Sequence, residues 1–211
     1  MTTQNSEYWN TFYKTRETSF LDIPSQFAVF FMNEISRDTP IIEIGCGTGR
    51  DSLFFASRGS RVIGVDGSIS AVELCRSKAQ NFGYGNASFL CADVSDPALA
   101  EKVAIADASP AIYARFFLHA IDEAAEAAFL KMASSVAGNG VIAVEFRTDR
   151  DEQQTKVTPT HYRRFISPIS FLTRAAKHGL NPIYFTEGFG FAKYKNDDAH
   201  VARVILQKSN A

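Results

Sequence analysis

Cysteine, tryptophan, histidine and net charge are all scarce in these 211 residues. The three cysteines, Cys46, Cys75 and Cys91, are odd in number and far apart, and no C-x-x-C pair occurs. This excludes a disulfide framework and a cysteine-based metal or redox motif, and suits small, reduced, buried side chains of a cytoplasmic protein. Lys and Arg total 22 against 23 Asp and Glu, a net charge of −1, so no global field favours nucleic acid or an anionic membrane. No apolar run is long enough to span a bilayer, and the opening Met1–Glu7 lacks the basic and apolar regions of a secretory leader. No Asp/Glu/His grouping has convincing metal-ligand spacing, so metal independence is expected.

What is present is a chain with 45% hydrophobic residues, 21% charged residues and 18 phenylalanines. That suffices for one sizeable core and is short for two domains. The stretch Ile41-Ile42-Glu43-Ile44-Gly45-Cys46-Gly47-Thr48-Gly49-Arg50 organises it. An apolar run predicts a buried parallel strand, three alternating glycines a tight turn, and Leu53, Phe54, Phe55 and Ala56 a following helix. Strand, glycine turn and helix together make a nucleotide-type site at the first turn of a doubly wound sheet. Glycine lets the backbone turn and approach a ligand without a Cβ. The spacing is neither the dinucleotide G-x-G-x-x-G nor a P-loop, since no Gly-Lys-Ser/Thr follows.

Alternating strands and helices continue along the chain. A strand at 61–65 ends at Asp66 and Gly67, and a carboxylate there can accept from ribose hydroxyls or cap the next helix. Strands follow at 89–94, 111–116 and 141–146, then a closing pair at 181–186 and 201–206. Helices are expected from Pro24 to Ile35 and over 49–58, 68–82, 97–106, 123–137 and 166–178. The fold class is therefore α/β: a doubly wound, seven-stranded, mostly parallel sheet with an antiparallel last strand, in three α-β-α layers. Arg115 inside an apolar strand needs a partner, either Glu145 or Glu43, or a substrate or cofactor carboxylate. His119, just past that strand, suits a general base or a loop-shaping histidine.

With Glu43-x-Gly45-x-Gly47-x-Gly49, Val-Ile-Gly-Val-Asp66-Gly67-Ser and Cys-Ala-Asp93-Val94 in this order, residues 38–208 resemble class I methyltransferases that depend on S-adenosyl-L-methionine (SAM). The resemblance implies SAM as cofactor and S-adenosyl-L-homocysteine as product. Glu43 would lie near the cationic amino-acid end, which suits a carboxylate. Asp66 would take the ribose; Asp93 would accept from the adenine amine, and Val94 would offer it a backbone N–H. Gly45, Gly47, Gly49, Gly67 and Arg115 complete the expected cofactor set. The N-terminal extension, residues 1–37, carries Tyr8, Trp9, Phe12 and Tyr13 at helical spacing ahead of the SAM-binding domain at 38–211. It would be either a lid contributing Tyr13 to the substrate site or a helix packed on the domain side.

A second constellation spans residues 145–166: Arg147, Arg150, His161, Tyr162, Arg163 and Arg164. Arginine forks recognise phosphate or carboxylate, and cations beside a cationic cofactor imply an anion between them. The alternative is pairing with Asp149, Asp151 and Glu152 at the surface. The segments Tyr-x-Arg-Phe-x-x-His-Ala-Ile, Glu-Phe-Arg-Thr and His-Tyr-Arg-Arg-Phe look like those of bacterial methyltransferases of surface polysaccharides or phosphorylated glycans. That likeness implies O-methylation of an anionic acceptor. The residues themselves offer His119, His161 and Arg147 as catalytic candidates and Tyr13, Arg147, Tyr162, Arg163 and Arg164 as substrate-binding ones. Gly49-Arg50-Asp51-Ser52 is also similar to tellurite-resistance and thiol methyltransferases, which implies a thiol or chalcogen oxyanion instead. A SAM-binding protein without turnover is a further alternative. The expected partner is a small-molecule or glycan acceptor, with no nucleic acid and no membrane insertion, in a monomer or homodimer.

Overall fold

The computed structural model describes residues 9–11, 13, 22–152, 162–193 and 197–209. The strands are β1 Ile41–Ile44, β2 Val62–Asp66, β3 Ala87–Cys91, β4 Ala111–Arg115, β5 Val141–Arg147, β6 Leu180–Gly188 and β7 Val201–Lys208. The helices are α1 Gln26–Phe31, α2 Arg50–Ser57, α3 Ile69–Asn81, α4 Leu99–Val103, α5 Glu123–Val136 and α6 Pro168–Ala176. One seven-stranded sheet results, in the order β3-β2-β1-β4-β5-β7-β6. The pairs from β3 to β5 are parallel, and β7 runs antiparallel to both β5 and β6. The chain winds outward from β1 to β3, then returns to place β4 on the other side of β1. That reversal opens the crevice where ligands bind in open α/β sheets.

Side-chain alternation sorts the core into two layers. Ile42, Ile44, Ile112, Ala114, Ile142 and Val144 face one way, onto Phe129 and Leu130 of α5 and Phe171 of α6. Ile41, Tyr113, Ala143 and Ile205 face the other, onto Phe27 and Phe31 of α1 and Phe55 of α2. Tyr113 is fully buried, with the rings of Phe27, Phe31 and Phe55 about it at 5.2, 5.2 and 5.1 Å. Burying one such ring contributes roughly 1.5–3 kcal/mol.

Several boundaries differ from the sequence expectation. The first helix is only Gln26–Phe31, because Ser25 takes the N-cap position and its hydroxyl accepts from Ala28 N–H at 3.0 Å. Its Phe27, Ala28 and Phe31 are fully buried, so a boundary at residue 38 falls after a helix already built into the core. The third strand pairs with β2 from Ala87 onward, which leaves Asp93 and Val94 beyond its tip. The helix expected over 97–106 is a short turn at Leu99–Val103. Asp122 caps α5, accepting from Ala125 N–H at 2.8 Å. Among the described residues no helix is long and apolar enough to cross a membrane.

Candidate active site

The glycine turn stands where β1 meets α2. Gly45, Gly47 and Gly49 all have positive φ, at 76°, 54° and 73°, a region that costs an L residue with a side chain roughly 1–2 kcal/mol. Space confirms the requirement. A Cβ on Gly45 would stand 2.7 Å from the Phe117 ring, and one on Gly47 would stand 2.8 Å from the Tyr13 hydroxyl. The N–H groups of Gly45 and Cys46 donate to the Val65 carbonyl at 2.8 and 3.1 Å, which ties the turn to β2.

Asp66 closes this corner. Its carboxylate accepts from Gly47 N–H at 2.9 Å and from Ser68 N–H at 2.8 Å, linking the turns after β1 and β2. Burial pushes the carboxyl above the usual aspartate range, and the two N–H donors pull it part of the way back. Gly67 follows, half-buried, while Ser68 caps α3 by accepting from Ala71 N–H at 3.2 Å. Asp93 is half-buried beyond β3, where it accepts from Ser95 N–H at 2.8 Å; Val94 is buried.

Glu43 faces α2. It is buried, it accepts from the Ser52 hydroxyl, and burial reinforced by the charge of Asp51 raises its carboxyl well above the ordinary range. Asp51, at the first turn of α2, favours the helix dipole there, but its main role was not anticipated. Asp51 is buried, accepting from Ser25 N–H at 2.8 Å, the Ser25 hydroxyl at 2.7 Å and the Tyr113 hydroxyl at 2.9 Å. A tyrosine in the middle of an apolar strand was the available signal, since a buried phenol needs a partner.

Parts of the N-terminal segment lie on the glycine turn. Trp9, Asn10, Thr11 and Tyr13 are helical, and the Trp9 and Tyr13 rings stack at 5.8 Å. Asn10 accepts from the Ser68 hydroxyl at 2.6 Å, and Asp22 bridges Lys78 Nζ at 3.0 Å and the Thr48 hydroxyl at 3.3 Å. Cys46 and Cys75 lie beneath the turn as neighbours. Contact with Cys75, with burial, holds the Cys46 thiol well above its ordinary range, so Cys46 is not an activated nucleophile; the Cys75 thiol donates to the Gly47 carbonyl at 3.2 Å, and Cys91, contrary to the sequence expectation, is exposed.

The other side of the crevice is built from ion pairs. Arg115 donates Nε to Glu145 at 2.7 Å, the first of the two partners expected from the sequence. Arg147 is buried, and its fork engages Asp151 and Asp197, both at 2.6 Å. Arg164 pairs with buried Glu126 and donates its backbone N–H to the His119 carbonyl at 2.8 Å, fastening the turn at Leu118–Ala120 to α5. Arg150, largely exposed, meets Glu187 at 3.1 Å. Tyr162 is half-exposed and Arg163 half-buried. His119 is buried, its ring centre 5.1 Å from that of Phe116. His161 lies outside the described residues. Phe116 itself has φ 55°, a region bulky residues seldom occupy. Asp197, His200 and Arg203 were not anticipated; they face partners about fifty residues away in sequence. Among the described residues no group of three or more His, Cys, Asp or Glu is placed to hold a metal ion.

Residues 41–140 match the family model described as methyltransferase domain. A 66-residue stretch is 44% identical to the 23S rRNA (uracil(1939)-C(5))-methyltransferase RlmD of Pseudomonas aeruginosa (strain UCBPP-PA14), covering 31% of this chain and 14% of that protein. The chain thus spans about a seventh of that relative's length. A SAM-dependent methyltransferase from Anabaena variabilis superposes with a TM-score of 0.73 at 18% identity, over 97% of this chain and 93% of that one. Magnesium protoporphyrin IX methyltransferase from Synechocystis PCC 6803, solved with bound SAM, gives 0.70 at 15% identity, over 98% and 96%. At such identities these two structures establish a shared fold.

Proposed function

We propose that this chain is a class I SAM-dependent methyltransferase, with SAM as its cofactor, that transfers a methyl group to an oxygen of an anionic acceptor; the match of residues 41–140 to the methyltransferase-domain model and the shared fold support the first part. The observation carrying the cofactor half is the corner made by three left-handed glycines and the Asp66 carboxylate. The residues fit the group: the turn leaves no room for a Cβ at Gly45 or Gly47, and the half-buried Asp66 still has lone pairs for ribose hydroxyls. Asp93 and the Val94 N–H would hold the adenine. SAM, when bound, supplies an electrophilic methyl on a sulfonium.

Catalysis then consists largely of holding the acceptor oxygen in line with that methyl. A phosphate or carboxylate oxygen is already ionised and needs no base, so His119 would orient it; a sugar hydroxyl would need His119 or His161 as base. A net charge of −1 favours a small acceptor over a nucleic acid, although the rRNA enzyme shares a stretch of sequence. Arg147 and Arg164 commit their forks to buried carboxylates, so they shape the acceptor side without being its open cations.

The test is methyl transfer from labelled SAM to a panel of sugar phosphates, nucleotide sugars and small carboxylates, run beside thiols and chalcogen oxyanions. Product from the first group supports the proposal. Product from thiols or oxyanions alone would replace it with the tellurite-resistance-like reading, and SAM binding without any product would indicate a non-catalytic SAM-binding protein.

A further inference from the structure

Arg115, Glu145 and Arg203 stand near the ends of three neighbouring strands, in register across β4, β5 and β7. By alternation with Tyr113, Ala143 and Ile205, all three face the side covered by α1 and α2. Arg115 Nε donates to Glu145 Oε1 and Arg203 Nε to Oε2, each at 2.7 Å. Glu145 is fully buried and Arg203 nearly so. Two guanidinium charges therefore share one carboxylate, which leaves one positive charge in a dry place. Such an excess is costly unless something outside the trio balances it. The next carboxylate on this side, Asp51, bears on Arg115 only through space: its oxygens accept from Ser25 and Tyr113 and lie beside Arg50, so it gives the Arg115 fork no hydrogen bond.

The two arginines are not equivalent. Arg203 is closed in: its Nη2 donates to the Phe191 carbonyl at 2.8 Å, and its guanidinium lies over Phe27 and Phe191 at 5.2 and 4.8 Å. Arg115 keeps 13% of its side chain exposed and makes no hydrogen bond beyond Glu145 among the described residues. Its guanidinium carbon sits 4.1 Å from the centre of the Phe116 ring, so that ring covers one side of the fork. The fork is fixed at Nε, stacked on one side, and open at its terminal nitrogens. It stands at the tip of β4, the strand beside β1 and its glycine turn.

We propose that Arg115 is the anion receptor of this crevice, taking a carboxylate- or phosphate-type oxygen pair on its terminal nitrogens, with Glu145 and Arg203 as positioning residues that hold the fork. This rests on the methyltransferase reading for the identity of the crevice. Two sources can supply the oxygen pair: the amino-acid carboxylate of the cofactor, or the acceptor.

Calorimetry on the full chain separates them, using wild type, Arg115→Ala, Arg115→Lys and Arg203→Met. The probes are S-adenosyl-L-homocysteine, 5′-methylthioadenosine (which lacks the amino-acid carboxylate), and inorganic phosphate added over S-adenosyl-L-homocysteine. Arg115→Ala leaves Glu145 paired with Arg203, so it should fold, and a thermal midpoint checks this. It is expected to weaken one anion by about 10–100-fold, the worth of a charge-assisted contact. Loss confined to S-adenosyl-L-homocysteine, with 5′-methylthioadenosine unchanged, assigns the cofactor carboxylate; loss confined to phosphate assigns the acceptor. Arg115→Lys should recover only part, having charge without the fork. Arg203→Met should weaken the same probe by a smaller factor. Equal affinities of wild type and Arg115→Ala for every probe overturn the proposal and leave the methyltransferase reading standing, as does an equal loss on 5′-methylthioadenosine, which would mean a damaged crevice. A wild type that binds no S-adenosyl-L-homocysteine overturns both.

Discussion

The two sides of the crevice are built on different principles. On the β1–β2 side the backbone does the shaping: three glycines turn left-handed within five residues, and one carboxylate, Asp66, ties the Gly47 N–H to the next turn. On the β4–β5–β7 side the charged side chains do it, through Arg115–Glu145–Arg203 and Asp151–Arg147–Asp197. Backbone geometry tolerates little substitution but costs little to maintain. Buried ion networks are the reverse: each partner is exposed to harm through the others, because a lone buried charge is worse than none.

The sharpest way to break this contrast is to remove the shared carboxylate. Glu145→Ala leaves Arg115 and Arg203 as neighbouring buried cations and should cost about 3–5 kcal/mol by urea denaturation. A loss under about 1 kcal/mol would mean the network is solvated, in the manner of surface pairs. Next in size, Asp66→Ala should weaken SAM binding about 10–100-fold by calorimetry, as expected for lost hydrogen bonds to a charged group. Unchanged affinity would remove the ribose role.

That asymmetry also decides what was legible in the sequence. The glycine turn and the succession of strands and helices were readable because each lies within a few residues of chain: glycine permits the positive φ of the turn, and apolar periodicity marks the elements. Arg147 was equally visible, and of its two partners Asp151 was among those the sequence offered, though as a surface pair and not a buried one; Asp197 is fifty residues away and leaves no local signal. Glu43 illustrates a subtler gap. The strand alternation that buries it beside Ser52 is a property of the sheet's layering, and the motif alone only places it near the turn. The early start of β3 came from its pairing with β2 at Ala87, which overrides local pattern at an element's end.

Smaller changes sharpen the comparison. Gly47→Ala places a Cβ against the Tyr13 hydroxyl at positive φ and should cost about 1–2 kcal/mol, with weaker SAM binding as the clearer readout. Glu43→Gln tests the buried carboxyl through pH. Its folded-state pKa is raised, so the folded protein holds that proton more tightly than the unfolded chain. Wild-type stability should therefore fall as pH rises from the ordinary glutamate range through the folded value, and the variant should lose that slope in thermal midpoints taken from about pH 4 to 9. Parallel slopes for the two proteins would show that Glu43 is ionised at little cost. Smallest of all, Arg150→Ala removes an exposed pair with Glu187 and should change stability by about 0–1 kcal/mol.

The most direct single measurement is calorimetric titration of the wild-type chain with SAM and, separately, with NAD. Saturable binding of SAM and none of NAD is the expected result, because three alternating glycines and the Asp66 corner form a site without a pyrophosphate cradle. Binding of NAD, or no binding of SAM, would contradict it.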